Sequence, residues 1–327
     1  MNRIQHIAMR ALRWESILGA AILVVLIVNT LTSPYFLNAQ TLADATFNFT
    51  EKGLVALPMA LLMIAGDIDI SVAAIMALCS IAMGYGALAG WPPSALVMAS
   101  LAVGIGCGAC NGWLVTVCRV PALVATIGTM SLFRGIAYGV LGDQALKNYP
   151  RGFEFFGQGY VAGLFSLELV LLIVAALLSA TLLHQTVIGR RIYAIGANNV
   201  AARMSGIAVN GYRFWLFAAT GAASGLASVL LTSRLSSTRP TLAAGWELEI
   251  ITIVILGGVS VNGGRGTIPG VMLAAILLGL LTFGLGMHNI PGIVMSMIIG
   301  ILLITIVAIP NLTSRLAAFR DSTIDRS

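Results

Sequence analysis

The sequence predicts an all-α, polytopic membrane protein: a bundle of about ten transmembrane helices, two of them short segments interrupted by glycine. Three observations carry this expectation. Of the 327 residues, 58% are hydrophobic and only 9% charged, against about a quarter charged in soluble domains, and no soluble core hides that much apolar surface. The apolar residues fall in runs suited to helical spans, which need about 20 residues each. No long stretch alternates apolar and polar residues with period 2, which argues against a membrane β-barrel.

The runs lie near 16–33, 53–66, 71–90, 94–118, 120–141, 161–183, 213–233, 248–262, 267–287 and 291–309. The first follows Arg3, Arg10 and Arg13, as a signal peptide would. Ser33-Pro34-Tyr35-Phe36 comes after it in place of a small-x-small cleavage site, so it reads as an uncleaved span. Runs 53–66 and 248–262 look too short to cross. Each follows charge (Glu51 and Lys52; Glu247 and Glu249), ends in glycine (Gly66; Gly257-Gly258) and precedes a long apolar run. Paired short segments in the two halves of a chain point to a transport pathway built from an internal repeat. Gly104, Gly108 and Gly112 recur every fourth residue, as do Gly221/Gly225 and Gly266/Gly270, a spacing that lets helix backbones approach closely in lipid.

Gly66-Asp67-Ile68-Asp69-Ile70-Ser71 interrupts uncharged sequence on both sides. Carboxylates within a membrane are costly and mark solute paths or partner sites, and Asp, Ser and Gly favour turns and caps over helix interiors. The bland alternative is that Asp69 or Ser71 only caps the next helix. Four cysteines (Cys79, Cys107, Cys110, Cys118) fall in apolar runs. Cys107 and Cys110 have the CxxC spacing, but without a basic or histidine neighbour they read as small packing residues.

Threading ten spans with the N-terminus inside places Arg3, Arg10, Arg13, Arg119, Arg190, Arg191, Arg203, Arg213, Arg265, Arg315, Arg320 and Arg326 in the cytoplasm. Lys52, Lys147, Arg151, Arg234 and Arg239 fall outside. Twelve against five follows the positive-inside rule, so both termini are expected in the cytoplasm. The longest cytoplasmic connection, 184–213, has a short helix of its own over 200–205. Asn198 or Asn199 can cap that helix and Gly206 can end it. Loops with internal structure are commonly binding elements.

Several chemistries have no support. A nucleotide-binding P-loop needs lysine in GxxxxGK[ST], and Lys52 and Lys147 precede Gly53 and Asn148. His6, His184 and His288 are too scattered for a metal motif. The basic residues are dispersed between apolar runs, unlike a nucleic-acid surface. No catalytic residue, metal or cofactor is expected, and the chain is not expected to be an enzyme.

The chain resembles the permease subunits of sugar-importing ATP-binding-cassette transporters, the ribose, arabinose, xylose, rhamnose and autoinducer-2 group. The resemblance rests on Gly66 to Val72, on Cys110-Asn111-Gly112 with Leu114-Val115, and on Pro121 to Gly135. It continues through Gly189-Arg190-Arg191, residues 194–198 and 201–207, Glu249 to Gly258, and Asn262 to Gly270. The family's first motif usually reads Gly-Gly-Ile-Asp-Leu-Ser-Val-Gly; here Asp67 stands for the second Gly and Ala73 for the last. The extra carboxylate could alter substrate preference or pair with a nearby arginine. Details at Leu57-Pro58-Met59 and Ile70-Ser71 look closest to the rhamnose and autoinducer-2 branch.

The resemblance implies one transmembrane permease domain over 1–327 in the bacterial inner membrane, carrying a cytoplasmic coupling loop over 184–213. A second permease subunit, identical or related, a cytoplasmic ATPase and a periplasmic sugar-binding protein are the implied partners. Substrate-pathway candidates are Asp67, Asp69, Ser71, Asn111, Thr126 and Thr129. Candidates for coupling to the ATPase are Asn199, Ala201, Ala202, Arg203, Ser205 and Gly206. A proton- or sodium-coupled secondary transporter is the rival reading, with Asp67 and Asp69 as its coupling acids; a passive channel lacks an acidic ring or filter motif. The charge asymmetry makes a direct prediction. A cysteine placed at Asn199 in a cysteine-free background should resist impermeant thiol reagents applied from outside, and labelling from that side would overturn the orientation.

Overall fold

The structure, a computed structural model, describes residues 3–34, 36–161, 165–302 and 304. Its elements are α1 (Arg3–Thr32), α2 (Ala39–Ile64), α3 (Val72–Leu88), α4 (Pro93–Thr116), α5 (Ala122–Leu141) and α6 (Phe155–Gln158). A two-residue antiparallel hairpin follows, β1 (Tyr160–Val161) and β2 (Phe165–Ser166). Then come α7 (Leu167–Gln185), α8 (Val187–Ala197), α9 (Asn199–Met204), α10 (Val209–Leu235), α11 (Trp246–Leu256) and α12 (Ile268–Met287). A further apolar helix, α13, covers Gly292–Leu302. Among the described residues, seven helices are long and apolar enough to cross a membrane: α1, α2, α4, α5, α7, α10 and α12. The last expected span, 291–309, is described only as α13; Arg315, Arg320 and Arg326 lie outside the described residues.

The clearest departure from expectation is α2. The run at 53–66 is the second half of a helix of 26 residues, roughly 39 Å at 1.5 Å per residue. Glu51 and Lys52 resemble a membrane boundary, yet both are paired inside the fold. Arg234 donates Nε to Glu51 Oε1 at 3.0 Å and Nη2 to Oε2 at 2.7 Å, and Lys52 pairs with Glu249. The other predicted short segment holds: α11 has 11 residues, roughly 17 Å, about half a bilayer core. The 161–183 run starts later, at Leu167, because the hairpin precedes it and Ser166 caps α7 by accepting from Leu169 N at 3.2 Å.

Consecutive spans alternate in direction, so the bundle has two ends. One carries β1–β2 and the α3–α4 turn; the other carries α9 and the α2–α3 break. Gly66–Ser71 therefore joins two consecutive helices at the α9 end and does not interrupt a span. α3 lies at the centre, buried along most of its length, with α4, α10 and α5 beside it. The apolar windows of α2 and α10 are 78% and 67% buried, against 11% for α1 and 17% for α7, which leaves the latter two facing lipid.

The glycine spacing explains the tightest helix contact. α4 crosses α10 where Gly104 and Gly108 face Gly221 and Gly225. A methyl on Gly221 would stand 2.2 Å from Gly104 O, and one on Gly108 2.4 Å from Phe217 O. Lipid chains are as apolar as leucine, so such close backbone packing supplies the association that burial cannot. Ser100 adds a hydrogen bond across the crossing, Oγ to Gly225 O at 2.8 Å. Gly270 serves a different contact: its missing side chain admits Gly257 O, 2.2 Å from where a Cβ would sit. Gly221→Ala should thus cost about 1–3 kcal/mol through overpacking. Gly106→Ala, which meets nothing within 4 Å, should leave thermal unfolding in detergent unchanged; equal effects would contradict the crossing.

Candidate functional site

The α2–α3 break is built from helix-ending chemistry. Gly66 has φ +95°, a conformation a side chain would strain, and turns the chain sharply after Ile64. Asp69 Oδ1 then accepts from Ser71 N at 2.9 Å and Ser71 Oγ at 2.7 Å. Asn111, reaching in from α4, donates Nδ2 to Asp69 Oδ2 at 3.2 Å and to Ser71 Oγ at 2.8 Å. All three residues are fully buried. Burial pushes the Asp69 carboxyl above its usual range, while the bonds from Ser71 and Asn111 oppose that shift. Asn111 Oδ1 is buried without a hydrogen-bond partner among the described residues.

The structure brings most sequence-predicted pathway residues to this corner. Thr126 Oγ1 lies 3.4 Å from Ile68 O while bonding Ala122 O of its own helix at 2.9 Å. Thr129 is buried one turn further along α5 and bonds Thr126 O at 3.3 Å. Asp67 does not join the Asp69 cluster. It forms a two-pronged ion pair with Arg213 in the first turns of α10. Asp67 is 5% exposed and the Arg213 side chain 19%, so the arginine reaches water and the carboxylate does not.

Three backbones meet beside the break. Gly264 N, in the α11–α12 turn, donates to Ile64 O at 2.8 Å. A Cβ on Gly196, near the end of α8, would sit 1.8 Å from Ile64 O and 2.5 Å from Gly264 N. α1 braces the same turn: Trp14 Nε1 donates to Leu256 O at 2.8 Å, and Glu15 Oε1 accepts from Thr267 Oγ1 at 2.7 Å. The two glycine breaks noticed in the sequence are thus in contact, though α2 and α11 differ in length.

The 184–213 connection is largely helical. α8, which the sequence reading missed, fills its first half, and α9 stands where a helix was expected. Asn198 caps α9, accepting from Ala201 N at 3.0 Å, so Asn199 is the first helical residue. Gly206 ends it with φ +80°. Ser205 Oγ bonds Ala201 O at 2.9 Å, and Arg203 Nη2 donates to Asn210 Oδ1 at 3.2 Å. Ala202 is buried against its own chain, and the exposed apolar residues are Val200 (64%) and Met204 (85%).

Sequence reasoning missed a second polar cluster, toward the hairpin end. Glu51 and Glu168 are both buried, Arg234 binds Glu51, and Thr50 Oγ1 donates to Glu168 Oε2 at 2.8 Å. The available signal was the helix-compatible sequence before Glu51, which makes that acid internal to a helix.

The comparisons with known proteins fit this architecture. Residues 41–307 match the family described as branched-chain amino acid transport system / permease component. The chain belongs to that permease family. It is 37% identical over 272 residues to the ribose import permease protein of Bacillus subtilis, covering 82% of this chain and 83% of the relative. It is 37% identical over 300 residues to an autoinducer 2 import system permease protein of Yersinia enterocolitica, covering 90% of each. A Salmonella paratyphi B permease of the same description is 34% identical over 304 residues, 91% of each chain. The chain is therefore a multi-pass membrane permease, a transport component and not a catalyst.

The Asp67–Arg213 pair predicts an asymmetric response. Arg213→Ala leaves a buried carboxylate unpaired and should destabilise the protein by about 3–5 kcal/mol. Asp67→Gly leaves an arginine that water can solvate and should be much milder. Thermal unfolding of the two variants in one detergent checks this; equal losses would show that the pair is not the source of the cost.

Proposed function

We propose that this permease is the membrane subunit of a binding-protein-dependent importer of a small sugar or sugar-like signal, driven by a separate cassette ATPase. The observation that carries the reading is the match to permeases named for ribose and autoinducer 2 import, across 82% and 90% of the chain respectively. The family description names branched-chain amino acids, but these relatives take hydroxylated solutes. The buried polar corner of Asp69, Ser71 and Asn111, with one unused acceptor on Asn111, suits exchange with solute hydroxyls.

The α9 end then faces the cytoplasm of a bacterial inner membrane. Arg119, Arg190, Arg191, Arg203, Arg213 and Arg265 belong to that end, as the positive-inside rule requires. α9 presents Val200 and Met204 to the ATPase, with Arg203 beside them. Force applied there passes through α8 to Gly196, and from Gly196 by backbone contact to Ile64 and the α2–α3 break. The ATPase supplies the differential free energy between outward- and inward-open states, which the permease itself cannot. A second permease subunit completes the path, and a periplasmic binding protein delivers the sugar at the hairpin end.

The test is uptake of labelled ribose or autoinducer 2 into proteoliposomes holding the permease, its ATPase and the binding protein. Vanadate should abolish uptake and a protonophore should leave it intact; the reverse pattern would establish a proton-coupled carrier and overturn the reading.

A further inference from the structure

A cleft of about 390 Å³ opens at the α9 end between the end of α4, α9 and the first turn of α10. Its polar lining comes from Thr116, Arg119, Arg203, Asn210 and Arg213. Among the described residues, the one carboxylate ion-paired to these arginines is Asp67, which is committed to Arg213. Arg203 bonds only the neutral Asn210, whose Nδ2 in turn donates to Thr116 O at 3.1 Å. Arg119 is exposed, and its backbone is held at φ +59°, an uncommon conformation for a residue with a long side chain. Three guanidiniums thus share one cleft with one acid. Like charges gathered this way repel, and an anion relieves that repulsion by accepting from the forked donors.

The surroundings indicate which anion. Val117 directly follows Thr116 and is 62% exposed; Trp113, one turn earlier on α4, is 49% exposed; Trp215, just past Arg213, is 70% exposed. Exposed tryptophans beside arginines mark the headgroup level of a bilayer, where the ring sits between hydrocarbon and water. A soluble anion has no use for this apolar margin, whereas a lipid places its acyl chains there. The exposed residues of α9, Val200 and Met204, are apolar, so a protein partner seated on α9 does not need the cationic cleft. We propose that the Arg119–Arg203–Arg213 cleft binds the phosphodiester headgroup of an anionic membrane phospholipid and anchors the α4–α10 corner at the membrane surface.

Arg119→Gly tests this cleanly, because it removes the charge while suiting the φ already adopted. Full-length permease in mild detergent is incubated with equal phosphatidylglycerol and phosphatidylcholine, and retained lipids are counted by native mass spectrometry. The wild type should retain phosphatidylglycerol preferentially. Arg119→Gly should lower that preference roughly fivefold, the equivalent of about 1 kcal/mol per arginine at an anionic surface, and Arg119→Lys should keep most of it. Unchanged preference in Arg119→Gly would refute the site. Displacement of the lipid by millimolar inorganic phosphate would assign the cleft to a soluble anion instead. Loss of lipid preference on adding the ATPase, with ATPase binding weakened by Arg119→Gly, would make it a protein seat and equally overturn the proposal.

Discussion

At the α9 end, the Ile64 carbonyl lies against a glycine from each of two other segments, leaving no room for even a methyl group on Gly196. Most of the architecture depends on that contact. It ties the end of α2 to α8 on one side and to the α11–α12 turn on the other, and Gly264 N satisfies a carbonyl that α2 leaves unpaired on ending. Irregular backbone near a membrane is tolerated where protein buries and bonds it, and each of the two breaks helps bury the other. The contact between α8 and the α2–α3 break is backbone on backbone, with no side-chain rotamer between them.

Three carboxylates withdrawn from water are paired with cations, whereas buried Glu168 is held by the Thr50 hydroxyl. Asp67 meets Arg213 at the α9 end, while Glu51 meets Arg234 and Lys52 meets Glu249 toward the hairpin end. Separating any of these pairs leaves a desolvated charge, so they hold fixed distances between helices that apolar contact would let slide. The Asp69 corner differs. Its donors are neutral, and its carboxylate is held by Ser71 and Asn111 with no cation bonded to it. A corner whose donors are neutral can exchange its bonds with a passing solute at lower cost than an ion pair can, which is why it remains the better pathway candidate.

Much of the site was legible in the sequence, because its residue types are unusual where they occur. The Gly66–Ser71 motif and the capped helix ending at Gly206 each stand out locally. Asn111 was reached through family resemblance, and no local signal joins it to Asp69, since their contact spans two helices. Arg213 reads as a boundary charge until the fold sets it against Asp67. Glu51 and Lys52 misled the sequence reading because a charge next to an apolar run looks the same whether it ends the span or is neutralised by a partner far along the chain.

The sequence by itself determined that this is an all-α membrane bundle, that its cationic residues cluster toward one end, and that the glycines at 104, 108, 221 and 225 offer helix faces able to approach closely. Those properties follow from composition and local periodicity, which act residue by residue. The tertiary structure decided which glycine faces which, that the α2–α3 break belongs to one end of the bundle, that Ala202 turns inward while Val200 and Met204 face out, and that Arg119 shares one cleft with the distant Arg203 and Arg213. Each of these depends on how helices are placed relative to one another. Helix placement comes from the sum of many weak long-range contacts, which no local stretch of sequence encodes.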